Sequence, residues 1–356
     1  MPVQYDTLLP CHANYYNLSK RHSITMTSQP FKPAWWLNNG HLQTLFPALF
    51  RKSPPLRTRR ERLTTPDNDF IDIDYHGEGE RPLAILLHGL TGSSASVYIQ
   101  GLQAALLQQG FRSAALNFRG CGGVPNNTSR CYHSGETGDI DFLYQTLRRR
   151  HPKLPMAMVG FSLGGNALLK WLGERGTNAE LFAAVAVSVP LLLDKCATRL
   201  DTGFSKLYRN RLLCELKAYL GDKQRHLINI DNLAEAEKII GLGDLASISS
   251  FWQYDQQVIA RLYGFTGAAD YYRRSSSRQY LQAIRVPTLL IQAADDPFMT
   301  AEVLPQPAEL SDAVHLEITA GGGHVGFIGG ASPFKPQYWL DSRISEFLSL
   351  HLLKSD

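Results

Sequence analysis

The pattern of apolar and polar positions predicts an α/β fold, with a mostly parallel central sheet covered by helices on both faces. From about residue 58, short β-rich runs alternate with longer helical patterns. Phe70–Tyr75 alternates apolar and acidic residues, which predicts a half-exposed strand, whereas Leu83–Leu87 is apolar throughout, which predicts a strand buried on both faces. Further predicted strands are Ser113–Phe118, Met156–Gly160, Phe182–Ser188, Thr288–Gln292 and Val314–Thr319. A helix is predicted over about Thr137–Arg150, because acidic residues begin it and arginines end it, as the helix dipole favours.

The alternation breaks between Pro190 and Ala283, where the chain becomes helix-rich, polar and aromatic. We therefore predict a helical cap insertion over residues 190–283, a core over residues 58–189 and 284–356, and an N-terminal extension and leading segment over residues 1–57. Residues before Met26 are expected to be a poorly ordered extension. Most aromatic residues of the insertion are expected to pack its own small core rather than contact a substrate: Phe251, Trp252, Tyr254, Tyr263, Phe265, Tyr271 and Tyr272.

Charge gives no reason to expect a nucleic acid partner, because the net charge is only +4 over 356 residues. One basic stretch stands out, made of Arg51, Lys52, Arg57, Arg59, Arg60 and Arg62. Such a stretch suits either an anionic lipid surface or a strand edge guarded by charge. We favour the edge strand, and expect at most peripheral contact with a membrane.

The cysteines and the longest apolar run bear on where in the cell the protein is expected and on whether it spans a membrane. The five cysteines include no CxxC pair and no Cys/His spacing suited to zinc, so neither a metal site nor a disulfide framework is expected. The longest apolar run, Leu181–Leu193, contains Pro190 and is shorter than the roughly 18–20 residues that span a bilayer. With no apolar core of signal-peptide length near the start, a cytoplasmic protein is expected. The sequence leaves the oligomeric state open.

The strongest candidate for chemistry is Gly160-Phe161-Ser162-Leu163-Gly164, which matches G-x-S-x-G between a predicted strand and a helical run. A serine hydroxyl is a poor nucleophile at neutral pH and must be presented without crowding beside a base. A sharp strand-to-helix turn does this, and glycine is needed where a side chain would collide with the neighbouring backbone. Ser162 is therefore the predicted nucleophile.

Backbone amides near this serine are candidates for an oxyanion hole. His88-Gly89-Leu90-Thr91-Gly92 follows the buried strand Leu83–Leu87, where the amide of Leu90 is the predicted donor. The amide of Leu163, directly after the nucleophile, is the second predicted donor. His88 is expected to make structural hydrogen bonds and to transfer no proton.

The base and the acid are expected later in the chain, in the order Ser, acid, His. His324 lies on a glycine-rich loop after the last predicted strand and is the predicted base. Asp295 and Asp296 follow the strand Thr288–Gln292 and compete for the role of the acid that orients the imidazole. We choose Asp296, directly before Pro297, and keep Asp295 as the alternative.

Together with this triad, three segments resemble the YheT-type branch of the α/β-hydrolases, which includes fungal medium-chain ester synthases/esterases and animal membrane-associated relatives. They are Asn39-Gly40-His41-Leu42-Gln43-Thr44, Asn117-Phe118-Arg119-Gly120-Cys121 and His133-Ser134-Gly135-Glu136-Thr137. The match extends over nearly the whole chain from about Phe31, although the family more often has proline at the position of Gly40. The resemblance implies the α/β-hydrolase fold, short- to medium-chain acyl esters as substrates, and no cofactor. The second and third segments are expected to pack as loops around the mouth of the site.

Three functions follow from these residues as hypotheses. The leading one is a serine esterase that forms an acyl-enzyme on Ser162. An acyltransferase would use the same triad but pass the acyl group to an alcohol or thiol. A binding protein that keeps the fold without activity is less favoured, because the predicted triad is complete.

Overall fold

The apolar runs of the sequence form the inner strands of a sheet in a computed structural model that describes residues 30–354. The expectations for residues before Met26, and for Cys11, lie outside the described residues. The strands are β1 (Thr58–Thr64), β2 (Phe70–His76), β3 (Leu83–Leu87), β4 (Arg112–Asn117), β5 (Met156–Phe161), β6 (Ala183–Val187), β7 (Thr288–Ala293), β8 (Val314–Thr319), β9 (Ile328–Gly329) and β10 (Gln337–Tyr338). Every strand predicted from the pattern is present, within one residue of its expected bounds.

The main sheet has the order β1-β2-β4-β3-β5-β6-β7-β8 within the described part of the chain. From β4 to β8 neighbouring strands are parallel, whereas β1, β2 and β4 pair antiparallel. The carboxyl ends of the parallel strands therefore lie at one edge, where the loops after β3, β5, β7 and β8 can meet. The α/β fold predicted from the sequence is confirmed.

The basic stretch contributes to an edge strand, β1, as predicted. The acidic partners of its arginines show that the predicted exposure of β2 needs correction. Arg60 and Arg62 on β1 form ion pairs of 2.7 and 2.8 Å with Asp74 and Asp72 on β2. The prediction that β2 is half exposed is wrong, because Asp72 and Asp74 are buried. Alternation of apolar and acidic residues indicated exposure, but the arginines of the neighbouring strand cover these carboxylates and compensate their charge.

Helices cover both faces of the sheet and form the segment between β6 and β7. They are α1 (Gly40–Phe50), α2 (Val97–Gln108), α3 (Gly138–Arg150), α4 (Leu163–Arg175), α5 (Leu193–Leu200), α6 (Ser205–Asn229), α7 (Leu233–Ile240), α8 (Phe251–Tyr254), α9 (Ala260–Tyr263), α10 (Ala268–Ser275) and α11 (Trp339–Leu352). A π-helical turn, Asp255–Ile259, joins α8 to α9. The helix predicted over about Thr137–Arg150 corresponds to α3.

Two apolar cores lie on the two faces of the sheet, and a third lies in the predicted insertion. The insertion, residues 190–283, contains α5 to α10 and no strand of the main sheet. Its core includes buried Phe251, Tyr254, Tyr271 and Tyr272, with the other predicted aromatic residues packed against it. The aromatic residues therefore mainly pack the insertion, as expected.

Over residues 30–354, no helix is long and apolar enough to cross a bilayer. Within the same range, no group of three or more His, Cys, Asp or Glu side chains could hold a metal ion. Cys121, Cys131, Cys196 and Cys214 are free thiols.

Candidate active site

Ser162 lies at the turn between β5 and α4 in a backbone conformation that side chains rarely adopt. Its φ is 51° and its ψ is −119°, and its amide donates to the carbonyl of Val187 at 2.8 Å. Glycine flanks this turn because the backbone is crowded: a Cβ at Gly164 would lie 2.5 Å from the carbonyl oxygen of His88, and one at Gly160 would lie 2.5 Å from that of Gly164. A strained strand-to-helix turn of this kind is the conformation expected for a nucleophile.

Three polar side chains predicted from distant parts of the sequence lie in hydrogen-bond contact at the carboxyl edge of the sheet. His324 Nε2 is 2.9 Å from Ser162 Oγ, and His324 Nδ1 is 2.8 Å from Asp296 Oδ2. Asp296 is buried, and its other oxygen accepts the amide of Phe298 at 2.8 Å. The ring of Phe298 stacks on the imidazole, with centroids 4.1 Å apart. The imidazole is therefore fixed on one side by a carboxylate and on one face by an aromatic ring.

The neighbouring carboxylate, Asp295, has a different set of contacts. Its Oδ1 accepts the amide of Gly323 at 2.9 Å, so it binds the backbone of the histidine loop rather than the imidazole. Burial raises its pKa, and the nearby charge of Asp296 acts in the same direction. Of the two candidates, the geometry brings Asp296 to the histidine.

The loop that carries His324 is held by α1, a helix for which no mechanistic role was predicted. The amide of His324 donates to Thr44 Oγ1 at 2.8 Å, and the Thr44 hydroxyl donates to the carbonyl of Gly40. The side chain of Gln43 bonds both the amide and the carbonyl of Ile328, at 2.7 and 3.0 Å. These contacts explain the Asn39 to Thr44 segment, which positions the loop of His324 from nearly 300 residues away in the chain.

A serine with a positive φ, directly after β6, holds the other side of the same loop. Ser188 has a φ of 51°, and its Oγ accepts the amide of Val325 at 3.0 Å. Val325 and Phe327 also have positive φ values, 58° and 48°. Sequence reasoning missed Ser188 because nothing in its apolar surroundings indicates that its hydroxyl reaches a distant loop.

The two amides predicted for the oxyanion hole lie beside amides that are already bonded. Gly89 and Thr91 donate to the hydroxyls of Tyr98 and Tyr132, at 2.9 and 2.8 Å. Among residues 30–354, no acceptor bonds the amide of Leu90 or of Leu163. Both of these amides therefore remain available to an acceptor from outside the protein, next to Ser162.

Comparison with known proteins agrees with this architecture. A family model described as alpha/beta hydrolase fold matches residues 82–331. The YheT protein of Escherichia coli (strain K12), named as a candidate esterase, is 39% identical over 330 residues, which cover 92% of this chain and 95% of that protein. The chain belongs to the YheT-type branch of the α/β-hydrolase family. This membership supports a hydrolase.

Two further proteins are similar to this α/β-hydrolase at lower identity. Phospholipase ABHD3 of Homo sapiens is 27% identical over 333 residues, covering 91% of this chain and 79% of that protein. The solved structure of the Pyrococcus furiosus esterase Pf2001 has a TM-score of 0.53 and 19% identity, covering 83% of this chain and 91% of that one. At this identity the structural likeness supports the fold alone.

His88 is a structural residue of this α/β-hydrolase, as predicted. It is fully buried, its Nε2 accepts the amide of Phe118 at 3.1 Å, and its Nδ1 donates to the carbonyl of Gly89 at 2.7 Å. Burial lowers its pKa to about 4. The neutral ring therefore joins the loop after β3 to the segment after β4.

The remaining resemblance segments also have structural contacts. Asn117 accepts the amide of Ser94 at 2.9 Å and donates to Asp74 at 3.0 Å. Buried Arg119 pairs with Asp139 on α3 at 2.8 Å. Ser134 receives at its carbonyl a hydrogen bond of 2.8 Å from Asn166 on α4 and also lines the cavity described next. Of these contacts, only those of Ser134 reach the cavity. The two segments therefore mainly hold loops in place and only partly surround the mouth of the site.

A cavity of about 590 Å³ extends from Ser162 and His324 to residues of the insertion. Ser162 and His324 lie on its wall, together with residues of α1, α5 and α6. Its apolar lining includes Leu45, Leu90, Val97, Leu163, Leu193, Ala197, Leu200, Leu212, Phe251 and Phe298. The volume and the apolar lining are those of a small-molecule site.

Proposed function

We propose that this protein is a serine esterase that hydrolyses short- to medium-chain carboxylic esters through an acyl-enzyme on Ser162. The observation that carries the proposal is the continuous hydrogen-bonded chain from Ser162 through His324 to Asp296, with contacts of 2.9 and 2.8 Å. It is accompanied by the strained conformation of Ser162, which keeps the hydroxyl exposed to the cavity.

In the proposed reaction, His324 Nε2 takes the proton of Ser162 while the serine oxygen attacks the ester carbonyl. Asp296 holds the imidazole in the tautomer that presents Nε2 to the serine and stabilises the imidazolium. The carbonyl oxygen becomes negative and accepts the amides of Leu90 and Leu163, each of which contributes on the order of 3 kcal/mol to lowering the barrier. The imidazolium then protonates the leaving alcohol. Water, activated by the same imidazole, hydrolyses the acyl-serine.

The substrate class is proposed from the cavity and from the relatives. Apolar side chains surround the serine in a space of about 590 Å³, which favours an acyl group over a highly polar substrate. The names of two relatives, a candidate esterase and a phospholipase, both refer to the cleavage of ester bonds.

A series of p-nitrophenyl acyl esters from acetate to decanoate tests the proposal with the wild type and Ser162→Ala. We expect hydrolysis by the wild type, with an optimum at short to medium chains, and loss of activity of at least about 1,000-fold in the variant. Ser249→Ala is a suitable control, because Ser249 lies on the exposed surface of the insertion. Ser188→Ala is not suitable, because Ser188 holds the histidine loop. Equal turnover by the wild type and Ser162→Ala would refute the proposal.

A further inference from the structure

One carboxyl group in the cavity has no part in the proposed reaction. Asp255 lies on the cavity wall that also includes Ser162 and His324, yet it belongs to the insertion and not to the triad. It is buried, with 8% of its surface exposed. The triad geometry accounts for none of its contacts.

The contacts of Asp255 leave its charge uncompensated. Its Oδ2 accepts the hydroxyl of Tyr272 at 2.6 Å. Within the described range 30–354, no Lys, Arg or His forms an ion pair with it. Glu215, the other acidic residue of the lining, contrasts with it because Glu215 pairs with the exposed Arg211 at 3.0 Å.

The backbone also distinguishes this position. Asp255 is the first residue of the π-helical turn Asp255–Ile259, which interrupts the helix that runs from α8 to α9. π-Helical turns are rare and occur often at functional sites, because the extra residue changes the direction in which side chains point. Here the turn carries an acidic residue on the wall of an otherwise mainly apolar cavity.

A carboxyl group buried in apolar surroundings is costly unless it is hydrogen-bonded, and one hydroxyl satisfies only part of its capacity. Burial accordingly raises the pKa of Asp255 to about 7. A donor that enters the cavity with a ligand would supply the missing partner at a position where few water molecules compete. Such a contact discriminates strongly against an otherwise identical ligand that lacks the donor.

We propose that Asp255 forms a polar subsite of the cavity and recognises a hydrogen-bond donor, a hydroxyl or an ammonium group, on the ester substrate. This inference rests on the proposed function, because it concerns the substrate of the same site. It assigns specificity to the insertion: the core supplies the triad, and the π-helical turn selects substrates with a polar group remote from the ester bond.

The test compares matched esters that differ only in one terminal group. p-Nitrophenyl hexanoate, 6-hydroxyhexanoate and 6-aminohexanoate place a methyl, a hydroxyl or an ammonium group on the acyl end. Butyl, 4-hydroxybutyl and 4-aminobutyl hexanoate place the same groups on the alcohol end. The measured quantity is the ratio of kcat/KM for a donor-bearing ester to kcat/KM for its methyl-terminated equivalent.

We expect at least one donor-bearing ester to be preferred by the wild type, and Asp255→Leu to lower its ratio about ten-fold or more. Asp255→Asn keeps an acceptor but no charge, so it should preserve most of the preference for a hydroxyl and lose that for an ammonium group. Asp222→Asn removes an exposed carboxylate from α6, away from the cavity lining, and is the matched control that should leave every ratio unchanged.

Two outcomes separate this inference from the proposed function. Ratios that change less than two-fold in Asp255→Leu for all donor-bearing esters, while the wild type hydrolyses the methyl-terminated esters, would overturn the subsite alone. A wild type that hydrolyses none of the six esters would contradict the proposed function. A purely structural link between Asp255 and Tyr272 would lower the thermal unfolding temperature and depress kcat/KM for all esters equally, and this result would also overturn the subsite.

Discussion

The buried carboxyl of Asp255 should make the stability of the protein depend on pH in a defined direction. Its pKa rises from 3.8 to about 7 because burial disfavours the charged form. The folded protein therefore binds this proton more tightly than the unfolded chain does. The resulting contribution to stability is fully present below pH 3.8 and is lost as the pH rises through about 7.

The size of the effect follows from the same two pKa values. One pKa unit corresponds to about 1.36 kcal/mol, so complete ionisation of Asp255 costs the folded state roughly 4 kcal/mol. Most of this loss occurs between pH 5 and pH 8, where it amounts to roughly 2–3 kcal/mol. Asn at this position does not titrate and keeps an acceptor for Tyr272. The stability of Asp255→Asn relative to the wild type should therefore increase by that amount over the interval.

Urea unfolding of both proteins at pH 5, 6, 7 and 8 measures this difference, because the other titrating groups are common to both and cancel. Asp222→Asn, whose side chain is 57% exposed, controls for the loss of an acidic residue and should show no trend. A wild-type-to-variant difference that stays constant within about 0.5 kcal/mol from pH 5 to pH 8 would show that the pKa of Asp255 is not raised on folding. It would mean that the carboxyl is as well solvated in the folded protein as in the unfolded chain.

Three further predictions concern the site and its support. Asp296→Asn should lower kcat about 10,000-fold, because the imidazole loses its orienting acceptor, whereas Asp295→Asn should lower it much less; equal losses in steady-state kinetics would contradict the assignment. Thr44→Val should lower kcat/KM about five-fold, since it removes a hydrogen bond of ~1 kcal/mol to the amide of His324; unchanged kinetics would show that this bond does not position the loop. Gly164→Ala should destabilise the protein by about 3 kcal/mol in urea unfolding, because its Cβ would lie 2.5 Å from a backbone oxygen; a loss below about 0.5 kcal/mol would show that the turn can relax.

The sequence was most informative where one physical requirement determines both residue type and order. Strands such as β3 and β6 were predictable because a strand covered on both faces must be apolar throughout. The turn around Ser162 was predictable because its glycines are required by steric crowding between residues that are close in the sequence. Both inferences depend on neighbours in sequence.

Features that depend on contacts between residues far apart in the sequence were harder to predict. The burial of Asp72 and Asp74 depends on arginines of an adjacent strand, so alternation alone gave the wrong exposure for β2. The choice between Asp295 and Asp296 depends on which side chain points to the imidazole, and two adjacent acidic residues look alike in a sequence.

The sequence around Asp255 contains an indication of a polar position that the prediction did not use. The aromatic residues near it in the sequence led to the prediction that they pack a small core of their own, and they do lie in one apolar cluster. A single acidic residue within the run Phe251-Trp252-Gln253-Tyr254-Asp255 is unusual for such a core. Its position on the cavity wall required the π-helical turn, which no hydrophobic pattern predicts.

Active-site labelling measures directly whether His324 activates Ser162. A fluorophosphonate reagent, followed by intact-protein and peptide mass spectrometry, reports whether one adduct forms and where. We predict a single adduct on the peptide that contains Ser162 in the wild type, and labelling slower by at least about 1,000-fold in His324→Ala. An unlabelled wild type, or equal labelling rates in the two proteins, would show that His324 does not activate Ser162.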